Sequence, residues 1–108
     1  MRLGDKQREF NRCLGLLYIY IYSCGYAVTQ GRGRVSEKAN AADGGHKNSC
    51  HLSGLAQDLN LFLDGVFLTD TADHEKFGVY WESLHTLARW GGRFNDGNHY
   101  SFEHQGVK

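Results

Sequence analysis

The segment Leu59-Asn60-Leu61-Phe62-Leu63, Asp64-Gly65, Val66-Phe67-Leu68 constrains this chain more than any other. It sets two β-type runs around Asp-Gly, a pair whose residues accept the positive φ angles of a tight hairpin turn. Alternation along the first run puts Leu59, Leu61 and Leu63 on one face, and Asp58, Asn60 and Phe62 on the other. The leucine face packs on a core. Asp58 is therefore turned to the opposite side of the sheet.

Helical spacing appears in two other places. Phe77, Tyr80, Trp81, Leu84 and Leu87 or Ala88 fall at i, i+3, i+4, i+7 and i+10 or i+11, which predicts one apolar stripe on a helix over 73–89. Asp70, Thr71 and Asp73 are its capping candidates, and Gly91-Gly92 is its expected stop. In residues 3–23 two signals conflict. Phe10, Cys13, Leu14 and Leu17 have helical spacing, whereas Tyr18-Ile19-Tyr20-Ile21-Tyr22 alternates like a strand. Gly25 is a plausible helix C-terminal stop, so the segment reads as a helix ending near Ser23-Cys24-Gly25, followed by a strand over 26–29. Between Gln30 and Asn48 the chain is polar and glycine-rich, with a short helical segment from Ser36 to Ala42 that Ser36 can cap. The tail from Arg93 reads as loop and short strand, with Asp96-Gly97-Asn98 as a turn. The expected architecture is a single small α+β domain, residues 1–108, with an antiparallel sheet and flanking helices.

Composition agrees with one such domain. A length of 108 residues supports one modest core. A hydrophobic fraction of 41% is too rich for a disordered chain. Twelve Lys+Arg balance twelve Asp+Glu, which argues against a nucleic-acid binder relying on net positive charge. The apolar stretch from Cys13 to Val28 is too short and interrupted for a bilayer span of about 20 residues. It also lacks the cleavage site of a signal peptide, so cytoplasmic synthesis is expected. Three cysteines, Cys13, Cys24 and Cys50, with no CxxC pair, read as reduced thiols rather than a disulfide framework or zinc ribbon.

Two segments gather metal-ligating side chains: Ser49-Cys50-His51 through Asp58, and Asp96-Gly97-Asn98-His99. Two His and one Asp, with a fourth position open to water, is a known catalytic zinc arrangement. On a straight strand, seven steps of about 3.3 Å would hold the α-carbons of residues 51 and 58 roughly 23 Å apart, with their side chains on opposite faces. On a straight helix they would be about 10.5 Å apart, the limit of what both could bridge. A shared site therefore demands a bend, and Gly54 stands where a bend is needed. The three-residue offset from Asp96 to His99 is a tight turn that can set a carboxylate beside a His-bound metal.

This arrangement resembles the M15 peptidases, zinc enzymes that cut peptidoglycan stem peptides. The family signature is Ser-x-His, a Gly-like position, Ala-x-Asp, and later an acid-x-x-His. This chain has Ser49-Cys50-His51, Gly54-Leu55-Ala56-Gln57-Asp58 and Asp96-Gly97-Asn98-His99 in that order. The stretches Asp58–Thr71, Tyr80-Trp81-Glu82-Ser83-Leu84 and Trp90-Gly91-Gly92-Arg93-Phe94 are similar to the small phage endolysin branch. The likeness runs from about Leu3 to Lys108.

The resemblance implies a fold of the hedgehog/DD-peptidase type, with one Zn2+ in a cleft on the sheet held by His51, Asp58 and His99. It implies that Asp96 is the catalytic carboxylate and that Arg34 polarises the scissile carbonyl, with Arg32 as the alternative alignment. Ser49 would contact substrate or orient the site. The implied partner is the peptidoglycan stem peptide, cut first of all between L-Ala and D-Glu, or else at the D-Ala-D-Ala end. A non-catalytic zinc-containing wall-binding or structural phage protein is the rival of a different class. A monomer without nucleic-acid partner or membrane insertion is expected, acting on the wall after release by a holin or virion.

The chain departs from the family at Cys50, where a larger apolar residue is usual, and at Tyr100 after the second histidine. A thiol next to a ligand rarely chelates the same ion, so Cys50 reads as buried structure. His46, His74, His85 and His104 read as structural or solvent-facing, with His104 the closest competitor for a ligand role. Other chemistries fail on spacing. Residues 58–64 lack the third acid and the glycine of an EF-hand loop. Cys50-His51 are consecutive and cannot easily form a nucleophile–base pair. Gly31-Arg32-Gly33 has no Lys-Ser/Thr partner for a P-loop.

Overall fold

Asp64-Gly65 forms the hairpin turn that the sequence predicts, with both residues at positive φ, 50° and 78°. The hairpin belongs to a computed structural model that describes residues 1–42, 44 and 49–108. Its long strand, β2 (Ala56–Leu63), pairs with β3 (Val66–Leu68) and, on its other edge, with β1 (Tyr26–Gln30). β2 also pairs with β5 (His99–Phe102), which in turn pairs with β4 (Ala88–Trp90). All pairings are antiparallel, and the sheet runs β1-β2-β5-β4 with β3 beside β2.

The conflict in residues 3–23 is resolved as one helix, α1 (Leu3–Ser23). Its stripe Phe10, Cys13, Leu14, Leu17 and Ile21 is buried, while Ile19 and Tyr22 of the alternating run are exposed. Helical period fits both halves of the segment; strand alternation fits only the second. α1 packs on β1, β5 and α3 (Glu75–Leu84), so Leu59 and Leu61 of β2 meet Phe10, Leu17, Phe77 and Trp81 in one core. Phe10 stands edge-on to Trp81 and Phe102, with ring centroids 5.6 and 5.5 Å away. The short helix α2 (Glu37–Ala42) begins at the predicted cap, since the Ala39 N–H donates to Ser36 Oγ at 3.1 Å.

The predicted 73–89 helix is shorter than its stripe. Residues 71–74 form a 3-10 turn, α3 ends at Leu84, and Ala88 opens β4. Phe77 and Trp81 are buried as expected, but Leu87 and Ala88 leave the helix. Trp90 is the reason. Its ring lies against Gly78 so closely that a Cβ there would come within 2.1 Å of it, and the chain must reverse after Leu84 to lay it there. Gly91-Gly92 consequently lie in a 3-10 turn after β4 and do not end the helix. No helix among the described residues is long and apolar enough to cross a membrane.

Candidate metal centre

The chain from Ser49 to Leu55 is a tight double turn. The Leu52 N–H donates to the Ser49 carbonyl at 3.0 Å and the Leu55 N–H to the Cys50 carbonyl at 2.9 Å. Gly54 takes a φ of 70°, supplying the bend that the His51–Asp58 spacing requires. The His51 N–H donates to Ser49 Oγ at 3.2 Å, so Ser49 caps the turn that presents the histidine. Beyond the bend, β2 carries Asp58 directly opposite His99 of β5. Directly opposed residues on antiparallel strands present their side chains on the same face.

Three donor atoms converge there. His51 Nε2 and His99 Nδ1 each lie 3.3 Å from Asp58 Oδ1. The rings are oriented by backbone carbonyls on their far sides: His51 Nδ1 is 2.9 Å from the Gly33 oxygen, and His99 Nε2 is 2.8 Å from the Lys108 oxygen. A carbonyl oxygen only accepts, so those two nitrogens carry the ring protons. In the neutral rings, the nitrogens facing Asp58 therefore present lone pairs to a carboxylate. Such a cluster needs a cation, either a metal ion or an additional ring proton. A tetrahedral ion about 2.0–2.1 Å from each donor sets its donors about 3.3 Å apart, which matches the spacing from Asp58. His51, Asp58 and His99 form a largely buried group that could hold a metal ion.

The protonation energetics follow the same convergence. Burial pushes the Asp58 carboxyl up, but hydrogen bonds and charge from His51 and His99 outweigh it and hold it down at about 2. Burial opposes a charged His99. Its bonds to Asp58 and the Lys108 oxygen, with the charges of Asp58 and Asp96, still raise it above the ordinary imidazole value.

Asp96 sits beside this group, with Oδ2 3.9 Å from His99 Nδ1 and half of its side chain open to solvent. Partial burial, aided by the Asp58 charge, raises its carboxyl against the pull of the two histidines. The turn that carries it is closely held. The Asp96 N–H donates to the Gly91 carbonyl at 2.8 Å, and the His99 N–H to the Asp96 carbonyl at 3.1 Å. Trp90 Nε1 donates to the Gly97 carbonyl at 2.7 Å, and the Gly97 N–H donates to Thr71 Oγ1 at 3.2 Å. A Cβ on Gly91 would stand 2.2 Å from the Asp96 oxygen and 2.6 Å from His99 Cβ, so only glycine fits.

The remaining sequence candidates lie outside this cluster. Arg34 is exposed and lines a separate cleft of about 320 Å³ with Gln7, Asn11, Gly54 and Gln57. The Arg32 carbonyl accepts from the Asp58 N–H at 2.7 Å, so the arginine loop is bonded to β2 at Asp58. Cys50 is buried 3.3 Å from the carbonyls of Phe102 and Val107, and burial raises its thiol to about 11. Among the other histidines, His74 Nδ1 lies 2.9 Å from the Tyr100 hydroxyl and His85 Nδ1 accepts from the Leu87 N–H at 3.0 Å. His104 Nδ1 is 3.1 Å from Lys6 Nζ. His46 lies outside the described residues. Sequence reasoning did not find Trp90, Thr71, or the carbonyls of Gly33 and Lys108. The Trp90-Gly91-Gly92 run was a usable signal for the first, whereas backbone carbonyls carry no residue identity.

The fold and site together define a small α+β domain whose open antiparallel sheet carries a His-Asp-His group able to hold a metal. No protein-family model matches the chain, and no curated protein matches it by sequence. Among solved structures it is similar to the L-Ala D-Glu endopeptidase ChiX of Serratia marcescens, with a TM-score of 0.69 at 19% sequence identity. The likeness covers 94% of this chain and 86% of that one, so the two share the fold across nearly the whole domain.

Proposed function

We propose that this protein is a zinc-dependent peptidase that hydrolyses the L-Ala–D-Glu amide of peptidoglycan stem peptides. The observation that carries the reading is the convergence of His51 Nε2, Asp58 Oδ1 and His99 Nδ1 on one sheet face, within a fold shared with an L-Ala D-Glu endopeptidase. Assignment to the M15 peptidases, and to their endolysin-like branch, belongs to the same proposal and rests on Ser49-Cys50-His51, Asp58 and Asp96-Gly97-Asn98-His99.

His51, Asp58 and His99 would hold the ion. Zinc bound there supplies a Lewis acid that makes water nucleophilic near neutral pH. Asp96 is the general base: a free Oδ takes one proton from the attacking water as its oxygen bonds to the scissile carbon. As the C–N bond breaks, the same carboxyl returns that proton to the leaving amine. Arg34, or Arg32 in the alternative alignment, stabilises the negative charge that develops on the carbonyl oxygen. Ser49 acts by fixing the His51 turn.

Asp96→Asn tests the assignment. It keeps the three metal donors and removes the base, so zinc content measured by atomic absorption stays at one per chain. Stem-peptide cleavage falls by about 10²–10⁴-fold. Unchanged cleavage in the zinc-loaded variant would remove Asp96 from the mechanism.

A further inference from the structure

After β5 the chain turns back on itself. The His104 N–H donates to the Val107 carbonyl and the Val107 N–H to the His104 carbonyl, each at 2.9 Å. Gln105 and Gly106 between them take positive φ angles, 51° and 79°, as a two-residue hairpin turn requires. Three contacts fasten this return. The Glu103 N–H donates to the Leu87 carbonyl at 2.8 Å. Lys6 Nζ lies 3.1 Å from His104 Nδ1, and Cys50 Sγ lies 3.3 Å from the oxygens of Phe102 and Val107. Cys50 directly precedes His51, so the return packs against the turn that carries one metal donor.

The return ends beside a second donor. The β2–β5 register sets His99 opposite Asp58 and Ser101 opposite Ala56. Residues two apart on a strand share a face, so the Ser101 side chain stands on the same side of the sheet as the His99 ring. Both donate to one atom: Ser101 Oγ to the Lys108 main-chain oxygen at 2.6 Å, and His99 Nε2 to the same oxygen at 2.8 Å. Ser101 is fully buried, and its hydroxyl has no other partner among the described residues. A buried hydroxyl left unpaired is costly, so this bond holds the oxygen in place. Two donors use both lone pairs of that oxygen and fix its direction toward the imidazole.

We infer that Ser101 is a positioning residue for the metal centre, acting through the Lys108 main-chain oxygen to hold His99 with Nδ1 facing Asp58. This rests on the metal-binding reading above and is independent of which bond is cut. With Nε2 bonded to a fixed oxygen, the ring proton stays on Nε2 and the Nδ1 lone pair stays available to an ion. Without the Ser101 hydroxyl the oxygen keeps one donor and is free to swing, and the ring loses its fixed orientation.

Ser101→Ala tests this with two readings. In metal-free wild type the His99 Nε2–H should exchange slowly with water and give its own ring N–H signal in NMR spectra; in Ser101→Ala that signal should broaden or vanish. Zinc affinity, from calorimetry against a competing chelator, should fall about 10–100-fold, the range for losing an outer partner of a metal-ligating histidine. Gly106→Val strains the return at its positive φ and meets no neighbouring atom, so it should move both readings the same way without disturbing the core. Unchanged zinc affinity in folded Ser101→Ala, or in Gly106→Val where Ser101→Ala does not fold, would overturn the inference. So would weaker zinc binding with the His99 ring signal intact, because the serine would then act on the fold and not on the ring. Wild-type protein that binds no zinc would overturn the metal reading and this inference with it. Zinc binding without peptide cleavage would sink the peptidase reading alone.

Discussion

His99 Nδ1 lies 3.3 Å from Asp58 Oδ1 because β2 and β5 place these two residues directly opposite one another. The strand register, rather than a loop, sets this distance. The third donor, His51, comes from a turn, and its ring is held by the Gly33 carbonyl. Two of the three donors thus stand on a paired strand ladder and the third on a turn tethered by that carbonyl.

Removing a donor should therefore weaken metal binding far more than it weakens the fold. His51→Ala, Asp58→Asn and His99→Ala should each reduce zinc affinity by at least the 10–100-fold typical of losing a supporting outer contact. Isothermal titration calorimetry in a competing chelator reads this directly. Full affinity in any of the three would remove that residue from the ligand set.

Gly91 gives a second prediction. A methyl group there would strike the Asp96 carbonyl and His99 Cβ, so Gly91→Ala must displace the turn carrying both residues. We expect about 1–3 kcal/mol lost in urea denaturation, the range for overpacking a tight site, together with weaker zinc binding. Loss of stability with unchanged zinc affinity would show that the Asp96 turn and the metal centre are independent.

Much of this arrangement is legible in the sequence, and the limits have physical causes. The Asp64-Gly65 turn, the leucine face and the position of Asp58 follow from local chemistry, because a hairpin is specified by neighbours. The bend at Gly54 follows from distance alone: His51 and Asp58 could not otherwise share an ion. The helix over 73–89 is overextended because Leu87 and Ala88 continue the 3.6-residue period by coincidence, while the reversal after Leu84 is set by Trp90 packing on Gly78 across the fold. The second halves of the histidine contacts, at Gly33 and Lys108, are main-chain oxygens that any residue could provide.

His74 sets a pH dependence separate from the metal. Burial lowers its pKa below the ordinary imidazole value, against a smaller opposing pull from Asp73. The folded protein thus binds this proton less readily than the unfolded chain. The His74 contribution to stability is complete above about pH 6.5 and is lost as pH falls through the lower folded value. In metal-free protein, urea midpoints between pH 7.5 and 5 should fall more steeply for the wild type than for His74→Gln, which keeps a partner for the Tyr100 hydroxyl. Parallel slopes would show that His74 titrates alike in both states.

The central claim is hydrolysis of one amide at this site, and mass spectrometry of muropeptides incubated with the zinc-loaded protein tests it most directly. Fragments from a single cut between L-Ala and D-Glu are expected, and none when the zinc is chelated beforehand. Intact muropeptides in the presence of protein with one zinc bound per chain would contradict it.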